Sequence, residues 1–136
     1  MHYTFKKMDH LDSALRAFKR GQMLIVTDDQ DRENEGDLIL AAEHVTPKKI
    51  GFMVRHTSGV LCMPMKGERL DELHIPLMVT QNTESHRTAF TVSVDAKKGI
   101  TTGISAEDRA TTIRTLIHPK TTSKDLARPG HIFPLR

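Results

Sequence analysis

The chain has 136 residues, of which 38% are hydrophobic and 27% charged, as in one soluble globular domain. It holds no apolar run near the ~20 residues that a membrane-spanning helix needs, and its first residues lack the apolar core of a secretory signal. Its single cysteine cannot form an internal disulfide, which is typical of a protein in the reducing cytoplasm. Taken together, these features lead us to expect a cytoplasmic protein with no membrane partner.

Charge is distributed unevenly along the chain, whose net charge is +3. Residues 28–37 hold six carboxylates and one arginine, whereas residues 119–136 hold four Lys or Arg residues and one acid. Such asymmetry can indicate nucleic-acid binding. However, aromatic residues make up 4% of the chain and tryptophan is absent, so a platform on which bases stack is not supported. We therefore expect no nucleic-acid partner.

The first predicted elements are a helix and a buried strand. Apolar residues recur at helical spacing over residues 9–20, and Gly21 is a suitable stop. The apolar, partly β-branched segment 23–27 then predicts a buried strand that leads directly into the acidic segment. For residues 38–43, the periodicity does not decide between helix and strand.

Four further elements follow along the chain. Thr46 before Pro47 is typical of a helix start, and this helix is expected to end near Arg55. The other predicted elements are a strand at 60–64, a short helix at 66–73 and a strand at 89–94.

The C-terminal part is predicted to hold one helix and the start of a strand. Ser105 to Asp108 resembles a capping box, with aspartate where glutamate is usual. Segment 131–136 is typical of an apolar strand. Short helices and strands alternate without a G-x-G-x-x-G or Walker A loop, so we predict one α+β or mixed α/β sandwich domain over residues 1–136. The apolar stripe of the helix consists of Ala110, Ile113, Leu116 and Ile117.

The acidic segment invites three interpretations. Carboxylates at this density repel one another unless a cation lies among them, and Mg²⁺ takes oxygen ligands, often one or two carboxylates with water and substrate oxygens. A solvated surface loop explains the charges equally well. A calcium-binding EF-hand is weaker, because loop position 12 counted from Asp31 is Ala42 and a strand precedes the loop.

A series of motifs adds a resemblance. Segment 31–38 (DRENEGDL) is followed by His56-Thr57-Ser58-Gly59, the strand around Cys62, segments 90–95 (FTVSVD) and 101–106 (TTGISA), Asp108-Arg109-Ala110 and Arg128-Pro129-Gly130-His131. The same motifs occur in the same order in the 3,4-dihydroxy-2-butanone 4-phosphate synthases of riboflavin biosynthesis, and the chain resembles that family from about residue 9 to residue 136. The resemblance implies the mixed-sheet α/β sandwich of that family.

The resemblance also implies an activity and roles for the acidic segment. The family is a group of magnesium-dependent lyases that convert ribulose 5-phosphate into 3,4-dihydroxy-2-butanone 4-phosphate and formate. Carried over to this chain, Arg32 contacts the sugar phosphate. Glu33 contacts the substrate and is the ligand of Mg²⁺ or Mn²⁺. Asp37 binds the substrate and is a candidate for proton transfer.

Three more site residues follow from the resemblance. Thr102 is expected to bind the substrate, Cys62 to line the same pocket as a catalytic residue, and His131 to take part in catalysis. By sequence alone, Cys62 would be a small buried hydrophobe and Thr102 an ordinary loop threonine. Family members form homodimers with the active site at the subunit interface, so a homodimer is expected here.

One family motif does not occur in residues 1–136. It is Arg-x-Gly-His-Thr, whose histidine is the second metal ligand in the family and whose arginine and threonine bind the phosphate. We therefore expect the C-terminal portion of the domain to be absent and this chain alone to have little activity. Whether a GTP cyclohydrolase II domain follows, as in some members, stays open.

Two other interpretations remain. The chain could be a non-catalytic remnant of the fold that acts as a binding or assembly module. It could also be a nucleotide-binding relative from the threonylcarbamoyl-adenylate synthase group, which shares the fold without the acidic signature.

The remaining basic residues are expected in structural or surface positions. His56 and His86 have no second ligand at suitable spacing, and His118 is expected to cap a helix end. Solvated faces are expected for Lys97 with Lys98 and for Lys120 with Lys124.

Overall fold

The structure, a computed structural model, describes residues 10–136. The chain divides into two compact units, the first ending at His44 and the second running from Val45 to Arg136. A single domain over residues 1–136 stays a prediction. Among the described residues, no helix has the length and apolar character needed to cross a membrane.

The first unit contains one helix and a β-hairpin. Helix α1 (Leu11–Lys19) lies within the predicted range and is followed by Gly21 at a φ of 78°. Residue 9 of the predicted helix lies outside the described residues. Strands β1 (Leu24–Thr27) and β2 (Gly36–Ile39) pair antiparallel, and a short 3₁₀ helix (Ala42–His44) follows. Segment 38–43 is thus the end of a strand and part of a 3₁₀ helix.

Strand β1 was predicted to be buried, and this prediction is wrong. The side chain of Ile25 is 76% exposed and that of Val26 47%. Within the described residues, the sheet partner of β1 is β2. A two-stranded ribbon covers little of either of its faces.

The second unit contains the three predicted helices, which begin after Thr46, after Lys66 and after Ser105. Thr46 caps the first of them, because its hydroxyl accepts the Lys49 backbone N–H at 3.3 Å. Ser105 caps the last one by accepting the Asp108 N–H at 3.0 Å. The helices are α2 (Pro47–His56), α3 (Gly67–Glu72) and α4 (Ala106–Ile117), and a 3₁₀ helix (Ser123–Asp125) follows them.

A three-stranded mixed sheet completes the second unit. Its strands are β3 (Cys62–Pro64), β4 (Val94–Ala96) and β5 (Leu126–Leu135), in the order β3-β5-β4. Strand β3 is parallel to β5, and β4 is antiparallel to it. This mixed sheet with helices confirms the predicted fold class.

The predicted strand at 89–94 is mostly wrong. Only Val94 belongs to β4, while Phe90 and Thr91 form isolated bridges, with Leu135 and Leu77 respectively. Thr91 donates its N–H to the carbonyl of Pro134. Because a proline has no N–H to return, the ladder does not continue there.

The core of the second unit lies between the sheet and the helices. Helix α4 packs against α2 and against β4. Of its predicted apolar stripe, Ala110, Ile113 and Leu116 are buried, but Ile117 is 41% exposed. The stripe therefore narrows at the last turn. Other fully buried side chains of this core are Ile50, Leu70, Leu73, Ile75, Val94, Leu126 and Ile132.

Candidate functional site

The acidic loop, residues 28–35, connects the two strands of the hairpin in the first unit. One carboxylate organises it. Asp28 accepts the backbone N–H groups of Glu33 and Glu35, each at 2.8 Å, and the Arg32 Nη1 at 3.1 Å. These bonds, the one from the Glu33 N–H above all, lower the pKa of Asp28. Asp28 was not among the predicted site residues, although aspartate commonly bonds to backbone N–H groups a few residues on.

The loop brings two of the predicted site residues together. Arg32 Nη1, which contacts Asp28, also lies 3.1 Å from a Glu33 carboxylate oxygen. The hydrogen bond to Asp28 and the charge of Glu33 raise the pKa of Arg32, which stays positively charged. Asp37 lies in β2, exposed and opposite Val26. Strands flank the loop on both sides, so the EF-hand interpretation is wrong.

The metal chemistry of this loop can be tested on its donors. Within residues 10–136, no three His, Cys, Asp or Glu side chains come together as a metal site. A cation held wholly by protein side chains is thus not supported by the described residues. Mg²⁺ requires less, because water and substrate oxygens fill much of its coordination shell. The Glu33 carboxylate, on an exposed loop, fits that type of site.

A second centre lies between two strands of the mixed sheet. The backbone N–H of His131 on β5 donates to Asp95 Oδ1 at 2.9 Å, and its ring Nδ1 lies 2.7 Å from Asp95 Oδ2. The side chain of Asp95 is 8% exposed and that of His131 37%. Because a carboxylate only accepts, Nδ1 carries the proton, and the neutral ring has its lone pair on Nε2. The sequence placed Asp95 in a motif but did not identify it as the partner of His131.

Two glycines give the Asp95–His131 pair its space. Gly103 has a φ of 94°, and a Cβ there would lie 2.1 Å from Asp95 Oδ2 and 2.7 Å from His131 Nδ1. At Gly130, a Cβ would lie 2.0 Å from the carbonyl carbon of Val94. Real Cβ atoms do not lie that close to heavy atoms of other residues, and the positive φ of Gly103 is itself strained for any other residue. Both positions therefore require glycine.

The loop that carries Thr102 is tied to the start of α4. The buried carboxylate of Asp108 accepts the Thr101 hydroxyl at 2.8 Å, the Thr101 N–H at 3.1 Å and the Gly103 N–H at 3.0 Å. The hydroxyl bond is the first cause of the lowered pKa of Asp108. Asp108 was predicted to act in a capping box with Ser105, but its carboxylate binds this loop instead. Thr102 is exposed and precedes Gly103, which contacts the Asp95–His131 pair.

These features agree with the comparison to known proteins. The family model for 3,4-dihydroxy-2-butanone 4-phosphate synthase matches residues 12–136. The chain belongs to this family. A 3,4-dihydroxy-2-butanone 4-phosphate synthase of Agrobacterium fabrum is 59% identical over 126 residues, covering 93% of this chain and 59% of that protein. The riboflavin biosynthesis protein RibBA of Synechocystis is 57% identical over 130 residues, covering 94% of this chain and 23% of that protein.

A solved structure of the family has the same fold. A crystal structure of 3,4-dihydroxy-2-butanone 4-phosphate synthase in complex with two magnesium ions matches with a TM-score of 0.92 at 50% identity. The match covers 95% of this chain and 60% of that chain. The chain thus spans about three fifths of this synthase structure and of the Agrobacterium relative. The interpretation as a nucleotide-binding relative is not favoured.

The predicted site residues of the second unit are all at least partly accessible. Cys62 on β3 is exposed and lies opposite Phe133 of β5, two residues from His131. The expectation of a buried cysteine is wrong: the Cys62 side chain lies on the exposed face of β3, whereas the neighbouring Met63 is buried. Arg32, Glu33 and Asp37 belong to the first unit, and Cys62, Thr102 and His131 to the second.

Three more histidines of the described residues, His56, His86 and His118, occupy structural or surface positions. His56 is exposed and its ring contacts that of Phe52, with centroids 4.5 Å apart. His118 is the C-cap residue of α4, as predicted. His86 is exposed in the polar loop before residue 88.

Proposed function

We propose that this chain carries the chemistry of a synthase that converts D-ribulose 5-phosphate into L-3,4-dihydroxy-2-butanone 4-phosphate and formate in riboflavin biosynthesis. The observation that carries the proposal is the Asp95–His131 pair, a half-exposed imidazole held by a buried carboxylate. An imidazole held in this way can accept and release a proton through its second ring nitrogen. Its presence in a chain of the synthase family supports an active enzyme over a remnant that only binds or assembles.

His131 is proposed to transfer protons through Nε2. Enolisation of a ketose phosphate, with which this reaction begins, needs a base within reach of a carbon-bound proton. Asp95 fixes the ring with Nδ1 protonated, so Nε2 can accept that proton and release it later. Asp95 is a positioning residue in this account. Asp37 is a second candidate for proton transfer, and Cys62 and Thr102 are proposed to line the substrate pocket.

The acidic loop is proposed to bind the phosphate-bearing substrate and a divalent cation. Glu33 would hold Mg²⁺ or Mn²⁺, a Lewis acid that stabilises negative charge on substrate oxygens. Arg32 uses Nη1 for its contacts with Asp28 and Glu33, which leaves its Nε and Nη2 hydrogens to donate to phosphate oxygens. Asp28 keeps this arginine in place before the substrate arrives.

The partners proposed for the protein follow from the family. We propose a homodimer that acts on ribulose 5-phosphate in the cytoplasm, without nucleic acid or membrane. Size-exclusion chromatography with light scattering would test the dimer, and a mass of one chain at micromolar concentration would contradict it.

The experiment for the proposed reaction measures formate released from ribulose 5-phosphate with Mg²⁺, with and without EDTA. This chain is compared with a version extended through any downstream coding sequence. We expect Mg²⁺-dependent formate from the extended version, and a loss of about a hundredfold or more in its His131→Ala variant. His10→Ala, at an exposed histidine, is the matched control and should keep the rate. Formate from neither version would contradict the proposal and favour the remnant.

A further inference from the structure

The lysines predicted on two separate solvated faces lie around one cavity of the second unit. This basic cavity has a volume of about 570 Å³ and shares no residue with the Asp95–His131 pair. Its cations come from the turn after β4, from α4, from the turn after α4 and from the last 3₁₀ helix. They are Lys97, Lys98, Arg114, Lys120 and Lys124.

Hydrogen bonds tie the walls of the basic cavity together. The Lys97 N–H donates to the Asp125 carbonyl at 2.9 Å, which joins the turn after β4 to the 3₁₀ helix. The Thr121 hydroxyl donates to the Thr115 carbonyl at 2.6 Å, which joins the same segment to α4. These bonds fix the backbone segments that surround the cavity before any ligand binds. A ligand would therefore have to order only the lysine side chains.

Positive charge is in excess around this cavity. Among residues 10–136, its only lining carboxylate is that of Asp125, which accepts the N–H and the hydroxyl of Thr122, each at 2.8 Å. Arg114 lies 3.7 Å from Glu107, whereas none of the four lysines has a carboxylate oxygen within 4.0 Å among residues 10–136. The bonds from Thr122 are the first cause of the lowered pKa of Asp125, and the charges of Lys98 and Lys97 nevertheless help to lower it. Like charges gathered in a concave surface repel one another, and a bound anion offsets that repulsion.

Capping of α4 does not account for these cations. Positive side chains do favour helix C-termini, where carbonyl groups lack partners. Here Arg69 of α3 donates to the His118 carbonyl at 3.0 Å, and Thr121 takes the Thr115 carbonyl. The carbonyls of Thr115 and His118 at this helix end are thus bonded without any of the four lysines.

His118 adds a neutral donor to the cavity wall. The Lys120 N–H donates to its ring Nδ1 at 3.2 Å. Because Nδ1 accepts, the proton of the neutral ring is on Nε2, which can donate to an anion. The ring therefore contributes a donor even when it is uncharged.

We propose that the basic cavity binds a small polyanion that carries two or more linked phosphate groups. Its volume lies within the range of small-molecule sites. Several ammonium groups around one concavity match several phosphate oxygens. None of the lining residues within the described part of the chain is aromatic, so we expect the cavity to recognise the phosphates and not a stacked base. The site is separate from the proposed reaction and does not depend on it.

Titration calorimetry of the full chain with inorganic tripolyphosphate, in EDTA to exclude metal complexes, tests the proposal. We expect saturable binding at one site, weaker binding of orthophosphate and a loss of affinity as salt is raised. The double variant Lys97→Gln/Lys124→Gln should bind at least about tenfold more weakly. The matched control Lys48→Gln/Lys66→Gln removes the same charge elsewhere and should bind within about twofold of the original chain.

Three outcomes would overturn the inference. They are no saturable binding, equal weakening in the two double variants, and tighter binding of a single-stranded oligonucleotide than of tripolyphosphate. The last would assign the lysines to a nucleic acid. The unfolding midpoint of each variant is measured alongside. If the first double variant does not fold, Lys120→Gln, in an exposed turn, is titrated in its place under the same criteria.

Discussion

The acidic loop and the Asp95–His131 pair show two ways of placing carboxylates in one chain. In the loop, Asp28 bonds to neighbours within seven residues and fixes the shape of an exposed hairpin turn. In the sheet, Asp95 bonds to a histidine 36 residues away and is nearly buried. The acidic loop thus holds many charges, and its hydrogen bonds join residues that are close in sequence. The Asp95–His131 pair uses a single carboxylate, whose partner is brought to it by the pairing of two strands.

The number of carboxylates in a segment therefore does not give the number of carboxylates that are available to bind a cation. The carboxylate that opens the acidic segment is occupied by backbone N–H groups. Its main effect is on the positions of Arg32 and Glu33. By contrast, the lone Asp95 fixes the orientation and the proton position of an imidazole.

Gly130→Ala should have the largest effect, since it pushes β5 away from β4. A Cβ there meets backbone atoms of Val94 and Asp95 at 2.0 to 2.4 Å, which no rotamer change relieves. We expect a loss of about 3 kcal/mol or more in the free energy of unfolding. Gly59→Ala is the matched control, because its Cβ would meet nothing within 4 Å. Equal urea midpoints for the two variants would contradict the close packing described for β4 and β5.

Asp108→Asn should lower the unfolding midpoint, in a pH-dependent way. The folded-state pKa of Asp108 lies below its ordinary value of 3.8, chiefly because of the Thr101 hydroxyl. Its contribution is complete above that value and is lost as the pH falls through the lowered pKa. The gap in urea midpoint between the original chain and the variant should therefore be constant near neutral pH and shrink in acid. A gap that widens in acid would contradict the assignment.

Asp28→Asn should have the smallest effect on stability, because its action is local. The variant keeps one acceptor oxygen in place of two, so the N–H groups of Glu33 and Glu35 cannot both keep their hydrogen bonds to this side chain. Their protection from hydrogen exchange with water should therefore fall. Amide exchange followed by NMR should speed up about three- to tenfold at these two residues. Asp29→Asn, at the exposed neighbouring aspartate, should leave both rates unchanged. Similar rates in the two variants would mean that the loop holds its shape without Asp28.

Local signals made much of the fold predictable. Thr46 with Pro47, and Ser105 before an apolar stripe, begin helices where the sequence indicates, because caps act within one turn. The acidic loop and His131 were predicted as parts of the site through motifs, and their roles stay predictions. The strand at 24–27 was also predicted correctly in position.

Long-range features were not predictable in the same way. The burial of β1 depends on what covers it, and the pairing of 89–94 depends on a proline in β5. The partner of His131 and the convergence of Lys97 with Lys124 both depend on segments brought together by the fold. The Asp108 carboxylate bonds to the loop at 101–103 and not to the Ser105 N–H, which the capping-box pattern in the sequence predicted.

The most direct test of the proton-transfer account is the tautomer of His131, read from the ¹⁵N chemical shifts of its ring nitrogens at a pH where the ring is neutral. We predict that Nδ1 is protonated and Nε2 carries the lone pair, and that Asp95→Asn, whose amide can donate to Nδ1, shifts the proton towards Nε2. His118, whose Nδ1 accepts an N–H, is an internal reference with the opposite tautomer. A proton on Nε2 of His131 in the original chain would contradict the account, because the nitrogen proposed to act as the base would have no lone pair.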